Sequence, residues 1–406
     1  MQDTLSQNPV SQGMPAHVET VSPMVRVAML IQSYHPWIGG AERQVEALCS
    51  VFPHQGIEAL VITRRRPEPG YTPFEIIAGA PVYRIRIFGG YALRSLSFTA
   101  GALWQLWKLR RQIDVLHAHD TLSPTTTALL AKFLIRRPVV VKVLTSGSLG
   151  DIAVLRAKRF GRARMALLAR FVDRFICISD EIANDLTAAG VALDKLARIP
   201  NGVDTIAYAP TDEADRQRMR QQVGVPAEAP VAIFTGRLIP KKGLRDLAAA
   251  WASVVEQQPN AHLLIVGTGP EAEVLQAMSA PNVHLLGARQ DIPDLLRASD
   301  IFVLPSQAEG LSNALLEAMA SGLACVGSDV GGTRDLLQHE RNGVLVPYGD
   351  QPALARELIR LISNSHLRRA LGSAARQTIE RDYSLESVAQ RLRALYTDIM
   401  DIMPPR

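Results

Sequence analysis

The chain has 406 residues, too many for one ordinary hydrophobic core, so two domains of roughly 100 to 200 residues are expected. Apolar residues make up 47% and charged residues 20%, a globular composition; the net charge of +5, with no basic run interleaved with aromatics over a compact module, argues against a nucleic-acid partner. Cys49, Cys177 and Cys325 lie inside apolar patterns without paired spacing, so neither a disulfide framework nor a zinc site is expected and a reducing cytoplasm fits.

Residues 1–24 are polar, hold three prolines and lack an apolar core, and are expected to be a disordered tail rather than a signal peptide. No run approaches about 18 consecutive apolar residues, so any membrane role is expected to be peripheral. Val25 to Ile31 reads as a strand, followed by a loop that carries Gly39-Gly40 into a helix near Ala41. Glycines at a helix start let a phosphate approach backbone donors, although an ordinary tight turn explains the pair equally well. Strands are predicted at Glu58–Thr63, Val82–Ile87, Asp114–His119, Val139–Leu144 and Phe175–Ser179, with helical patterns between most of them. This alternation predicts a parallel, doubly wound sheet with ligands at the carboxyl ends of its strands.

His117 and His119 flank Ala118 at a strand end and therefore point to the same side; metal ligation, simple packing and substrate contact all stay open for them. From Arg156 to Arg174 seven basic residues stand against the single acid Asp173, with Met165, Leu167, Leu168 and Phe171 between them. Such a basic amphipathic helix suits an anionic bilayer or, equally, a solvated face. Trp104, Trp107, Lys108, Arg110 and Arg111 form a shorter candidate of the same kind.

Asn201-Gly202-Val203-Asp204 followed by Pro210 reads as a connection between lobes, and the polar stretch 211–230 separates two apolar series. The second series has strands at Val231–Thr235, His262–Val266, Val283–Leu286, Ile301–Leu304, Leu323–Val326 and Val344–Val346. Lys241-Lys242-Gly243 opens a helix to Gln257. The last helical pattern, Leu385–Met400, is placed to cross back to the first lobe. The expected organisation is a first domain over 25–205, a second over 206–383 and a returning helix over 384–402, with a cleft between the lobes.

The most informative stretch is 305–322. A buried strand precedes it, Leu315, Leu316 and Met319 mark the packed face of a helix, and Ser312 is a candidate N-cap. Gly310 gives the loop backbone room, and Asn313 and Glu317, four apart, share a helical face. Loop and helix thus offer amide N–H groups, a side-chain amide and two carboxylates, Glu309 and Glu317, to one crevice. That set suits a ligand carrying both phosphate and hydroxyls. The nicotinamide and flavin fingerprint is absent: its best match, Gly267-Thr268-Gly269, has Ala272 in the third position and lies deep in the second lobe. There is no P-loop and no nucleophile-elbow serine. Arg237 and Lys242, five apart across a strand-to-helix loop, can reach one anion, which leaves a diphosphate site without a P-loop.

As an ordered set, Gly39-Gly40-Ala41-Glu42, Asp114 to Asp120, Ser179, Pro200 to Asp204, Gly236-Arg237, Lys241-Lys242-Gly243, Val266 to Pro270, Asn342-Gly343 and the pair Glu309 and Glu317 resemble the retaining glycosyltransferases of family 4 over about residues 25–400. The resemblance implies a GT-B fold, two Rossmann-like doubly wound parallel-sheet domains facing across a cleft. It implies a metal-independent hexosyltransferase that needs no cofactor. A nucleotide-diphosphate sugar is the implied donor, and a lipid-linked or polysaccharide hydroxyl in envelope or exopolysaccharide assembly the acceptor. Arg237 and Lys242 would hold the diphosphate and Glu317 the ribose. Glu309 and the loop amides of Gly310, Leu311, Ser312 and Asn313 would hold the sugar, with Gly39 and Gly40 approaching the phosphate from the other lobe. Ser146 stands where many relatives carry a histidine, leaving open whether His119 substitutes. The location expected is the cytoplasm or, through residues 156–174, the inner face of the cytoplasmic membrane. Competing readings are a sugar-nucleotide epimerase or glycogen-type synthase on the same fold, and a non-catalytic nucleotide-sugar-binding protein.

Overall fold

The computed structural model describes residues 24–36, 39–65, 72–147, 150–278 and 280–402, with backbone only for Tyr91 and Ala92. The tail expected over 1–24 lies, up to residue 23, outside the described residues. The first lobe runs through β1 (Val25–Leu30), α1 (Gly40–Val51), β2 (Ile57–Arg65), β3 (Phe74–Ile77), β4 (Ala80–Arg86), α2 (Tyr91–Lys108), β5 (Val115–His119) and α3 (Ser123–Ile135). It continues with β6 (Val139–Val143), α4 (Asp151–Ala157), α5 (Gly161–Phe171), β7 (Arg174–Cys177), α6 (Asp180–Ala188) and β8 (Leu196–Arg198). The second lobe holds α7 (Glu213–Gln222), β9 (Val231–Thr235), α8 (Leu244–Gln257), β10 (His262–Val266), α9 (Glu271–Met278), β11 (Val283–Gly287), α10 (Ile292–Arg297) and β12 (Ile301–Leu304). After these come α11 (Asn313–Ala320), β13 (Ala324–Ser328), α12 (Gly331–Arg334), β14 (Val344–Val346), α13 (Gln351–Ser363), α14 (Ser365–Asp382) and α15 (Leu385–Asp401).

The first sheet has the order β3-β4-β2-β1-β5-β6-β7-β8 and the second β11-β10-β9-β12-β13-β14. All pairings are parallel except β3 with β4. The strand order reverses between β1 and β5 in one lobe and between β9 and β12 in the other, and such switch points open crevices at the carboxyl ends. Central strands such as β5, β6, β9 and β12 are buried along their whole length, as helices on both faces require.

α15 returns to the first lobe. Leu392, Leu395, Tyr396 and Ile399 pack with Val27, Met29, Val45 and Leu48 of β1 and α1 in one apolar cluster. The chain therefore crosses between lobes twice, at residues near Val203 and near Ser384, and the crossings are tied by Val203 N–H to Tyr383 O (2.9 Å) and Leu385 N–H to Val203 O (3.1 Å).

Three features differ from the sequence expectation. β3 and β4 form an antiparallel edge hairpin whose two-residue turn, Ala78-Gly79, takes φ of 49° and 78°; Ala-Gly lacks the usual Asn or Asp cue for that turn. β8 adds a short strand at the opposite edge. The basic segment expected as one helix is two, α4 and α5: Lys158 leaves helical space with ψ of 152°, and Phe160 adopts a left-handed φ of 67° before α5 begins. Its cations consequently do not share a face: Arg164 donates inward to Thr121 O (3.1 Å), Leu122 O (2.7 Å) and Thr126 Oγ1 (2.6 Å).

Candidate active site

The second lobe's switch point brings the predicted charged groups together. β9 ends in Gly236-Arg237, and a 3₁₀ turn over Pro240–Lys242 follows, closed by Gly243. Gly243 has φ of 66°, and a Cβ there would lie 1.9 Å from the Pro305 carbonyl oxygen, so only glycine lets this turn press on the loop after β12. Gln307 N–H donates to Lys241 O at 2.9 Å and fixes the same contact. As a result Lys242 Nζ reaches Glu309 Oε1 at 2.5 Å, with side chains 15% and 10% exposed. Removing either partner would leave a mostly desolvated charge uncompensated, so each holds the other in place. Arg237 is exposed, and among the described residues its guanidinium has no hydrogen-bond or ion-pair partner.

The loop leading into α11 presents backbone rather than side chains. Leu311 is buried in the core, and Ser312 caps the helix by accepting from Leu315 N–H at 3.3 Å. None of the N–H groups of Gly310, Leu311, Ser312 and Asn313 finds an acceptor among the described residues. Four unpartnered donors at a helix N-terminus, next to Lys242, make an anion cradle. Gly310 is also where the lobes meet, since a Cβ on it would stand 2.8 Å from Leu144 O of the loop after β6.

Glu317, one turn further, is half-buried. Burial pushes its carboxyl up to about 7, against the pull of Arg43 on α1 and of the Tyr208 hydroxyl that bonds it. Burial and that carboxylate raise the Tyr208 phenol and keep it protonated. Asn313 reaches across the cleft: its Nδ2 donates to Gly40 O at 3.1 Å, and its Oδ1 accepts from Asn201 Nδ2 at 2.9 Å. Gly39 and Gly40 thus stand at the start of α1, opposite the cradle; Trp37 and Ile38 before them lie outside the described residues.

Ser146 lies on the loop that faces Gly310, and His119 is enclosed in the first lobe. Ser146 Oγ donates to Glu181 Oε2 at 2.9 Å, on the first lobe's loop after β6. His119 is 1% exposed and stacks on His117 at 4.4 Å between centroids, while His117 Nδ1 lies 2.7 Å from the Tyr396 hydroxyl of α15. Burial holds His117 down to about 3 and His119 well below its ordinary value, and it lowers the neighbouring Lys142 to about 8. The pair is therefore neutral and enclosed, and among the described residues the Nε2 atoms of both rings are buried without a hydrogen-bond partner. Among the described residues no three histidine, cysteine, aspartate or glutamate side chains gather as a metal site, and the cysteines are free and buried.

Sequence reasoning missed Arg43, Gln44 and Tyr208. Their contacts to α11 and to Gly202 span more than a hundred positions, and the only local hint was the Asn201-Gly202 turn.

Two Rossmann-like lobes of parallel sheet facing each other are the architecture of the GT-B class of transferases. Anabaena HepE in complex with UDP and glucose superimposes with a TM-score of 0.75 at 23% identity, covering 92% of this chain and 99% of that one. The profile described as Glycosyltransferase Family 4 matches residues 38–206, and that described as Glycosyl transferases group 1 matches 229–364. The chain belongs to this glycosyltransferase family and is a transferase. It is similar to the N-acetyl-alpha-D-glucosaminyl L-malate synthase of Bacillus anthracis, 27% identical over 72% of this chain and 76% of that protein. It is also similar to the UDP-Gal:alpha-D-GlcNAc-diphosphoundecaprenol alpha-1,3-galactosyltransferase of Escherichia coli, 27% identical over 74% and 79%.

Proposed function

We propose that the protein transfers a sugar, with retention at the anomeric carbon and without a metal, from a nucleoside-diphosphate sugar to a lipid-linked or polysaccharide hydroxyl in glycan assembly. The observation that carries this reading is the Lys242–Glu309 pair set beside four unpartnered amides at the junction of the lobes. When the glycosidic bond to phosphate lengthens, negative charge grows on the departing diphosphate. Lys242 and Arg237 neutralise it, the amides of Gly310 to Asn313 add fixed donors, and the α1 start at Gly39-Gly40 supplies the positive end of a helix from the other side. Glu309, released from Lys242 as the phosphate takes its place, accepts the sugar's hydroxyls. Glu317 does the same for the ribose. Two cations and two helix starts can carry the leaving-group charge that a divalent metal carries elsewhere.

The acceptor class draws on the E. coli relative, whose name specifies a diphosphoundecaprenol-linked sugar, and on the surface of α2 and α5. Trp104 and Trp107 stack in the open on α2, with Lys108 and Arg110 over their faces at 5.1 and 4.4 Å. Phe160, Leu167 and several cations of residues 156–174 are exposed as well, which suits peripheral contact with an anionic bilayer. No described helix is long and apolar enough to cross one.

The test is a transfer assay across nucleotide sugars with lipid-linked and polysaccharide acceptors, using the wild type and Lys242→Ala. Loss of one such fixed charge typically costs roughly 10²- to 10³-fold in rate, so the variant should keep its fold and lose turnover to that extent, and fresh wild-type product should carry the donor's anomeric configuration. Undiminished turnover in the variant, or the opposite anomer, would refute the reading. Product formed without acceptor would turn it into epimerase chemistry.

A further inference from the structure

Asn313 touches three segments that belong to different parts of the chain. Its Nδ2 donates to Gly40 O at the start of α1 (3.1 Å), and its Oδ1 accepts from Asn201 Nδ2 in the interlobe connection (2.9 Å) and stands 3.5 Å from Gln44 Nε2 on α1. Gln44 in turn holds Gly202 at both backbone atoms, donating to Gly202 O at 2.7 Å and accepting from Gly202 N–H at 3.0 Å. That bidentate grip fixes which end of the Gln44 amide faces Asn313, and the Gly40 carbonyl fixes which end of Asn313 must donate. A Cβ on Gly40 would come within 3.3 Å of Asn313 Nδ2, so the approach is close. Nearby, the positive charge of Arg43 on α1 favours the ionised form of Glu317 on α11.

We infer that Asn313 is a positioning residue, the polar pivot that sets the glycine turn of the first lobe in register with the anion cradle of the second and so completes the site only when the lobes are together. Both polar atoms of the Asn313 side chain bond protein partners, so the side chain acts on the reaction through Gly40, while the backbone N–H belongs to the cradle. Its requirement is chemical. The residue must donate to one carbonyl while accepting from an amide, which asparagine does and aspartate cannot. Misplacing catalytic groups by about 1 Å can cost about 10²-fold, so breaking one link of the pivot should be felt in turnover. The inference rests on the proposed transfer reaction only for its kinetic arm.

Asn313→Asp is nearly isosteric, keeps the acceptor for Asn201 and sets a carboxylate against Gly40 O. The expected result has two parts. Small-angle scattering of the ligand-free proteins should give the variant a larger radius of gyration than the wild type. In the transfer assay kcat should fall at least tenfold while the donor KM stays within about threefold, the split expected for lost positioning rather than lost ground-state binding. Should Asn313→Asp fail to fold, Asn313→Ser removes both links with a residue suited to the first turn of a helix. An unchanged radius with kcat within twofold of wild type would overturn the inference, as would a raised KM at unchanged kcat, which would make Asn313 a donor ligand. If the wild type itself transfers no sugar, the functional reading fails, and the scattering comparison still decides the pivot.

Discussion

At the scale of single residues, burial moves titratable groups of both lobes in opposite senses. Burial keeps His117 and His119 neutral, so the fold binds fewer protons than the unfolded chain below pH 6.5, and their contribution is present above that pH and lost as the pH falls. Asp120, at a left-handed φ of 92° just past β5, and Glu317 are both pushed up to about 7. These two carboxyls bind more protons in the fold than in the unfolded chain between their ordinary range and pH 7, so they favour the fold as pH falls and weaken it as pH rises through 7. Asp120→Asn isolates one such group. Asparagine tolerates the left-handed backbone and keeps an oxygen for the Leu122 N–H, which Asp120 Oδ1 now accepts at 2.6 Å. The variant should be the more stable protein at pH 8, with an advantage that shrinks by about 1.4 kcal/mol per pH unit between pH 7 and 5. Chemical denaturation at several pH values reads this, and a difference independent of pH would contradict it. The doublet His117 and His119 was visible in the sequence as a same-side pair, but their enclosure was not, because it depends on Tyr396 arriving from a helix 279 positions away.

Among elements, strands and their order of appearance were legible because a central parallel strand is buried on both faces and so reads as an apolar run. The hairpin of β3 and β4 was not, since Phe74 to Ile77 lie at an edge, alternate exposed and half-buried, and turn on Ala-Gly. The basic stretch was legible as charge but not as shape: the helix stops at an extended Lys158, restarts after Phe160 at positive φ, and leaves Arg164 facing inward. α2 has Phe98, Ala102 and Leu106 buried and Trp104 and Trp107 exposed on the opposite side, which makes it the element through which the proposed bilayer contact is tested. Flotation with vesicles containing an anionic phospholipid should recover the wild type, and Trp104→Ala with Trp107→Ala together should cut the recovered fraction several-fold at unchanged thermal stability. Equal recovery with neutral and anionic vesicles, or no effect of the double substitution, would remove α2 from the contact.

Over the whole molecule, two sheets place their switch points toward one another, and everything assigned a chemical role follows from the strand that precedes it: Gly39-Gly40 after β1, Arg237 and Lys242 after β9, Glu309 after β12. That much could be read from the sequence, since each group stands a few residues beyond an apolar run. What could not be read is the junction, where Asn313, Asn201, Gln44, Arg43 and Tyr208 meet only because α15 and the Val203 crossing hold the lobes against each other. The lobes approach at Gly310 and Leu144, beside the ion pair of Lys242 with Glu309. If this groove is a nucleoside-diphosphate site, titration calorimetry of a panel of nucleoside diphosphates into the wild type and Lys242→Ala will show it. At least one nucleotide should bind the wild type, with affinity reduced tenfold or more in the variant. Equal affinity in both proteins, or no binding to either, would contradict the account.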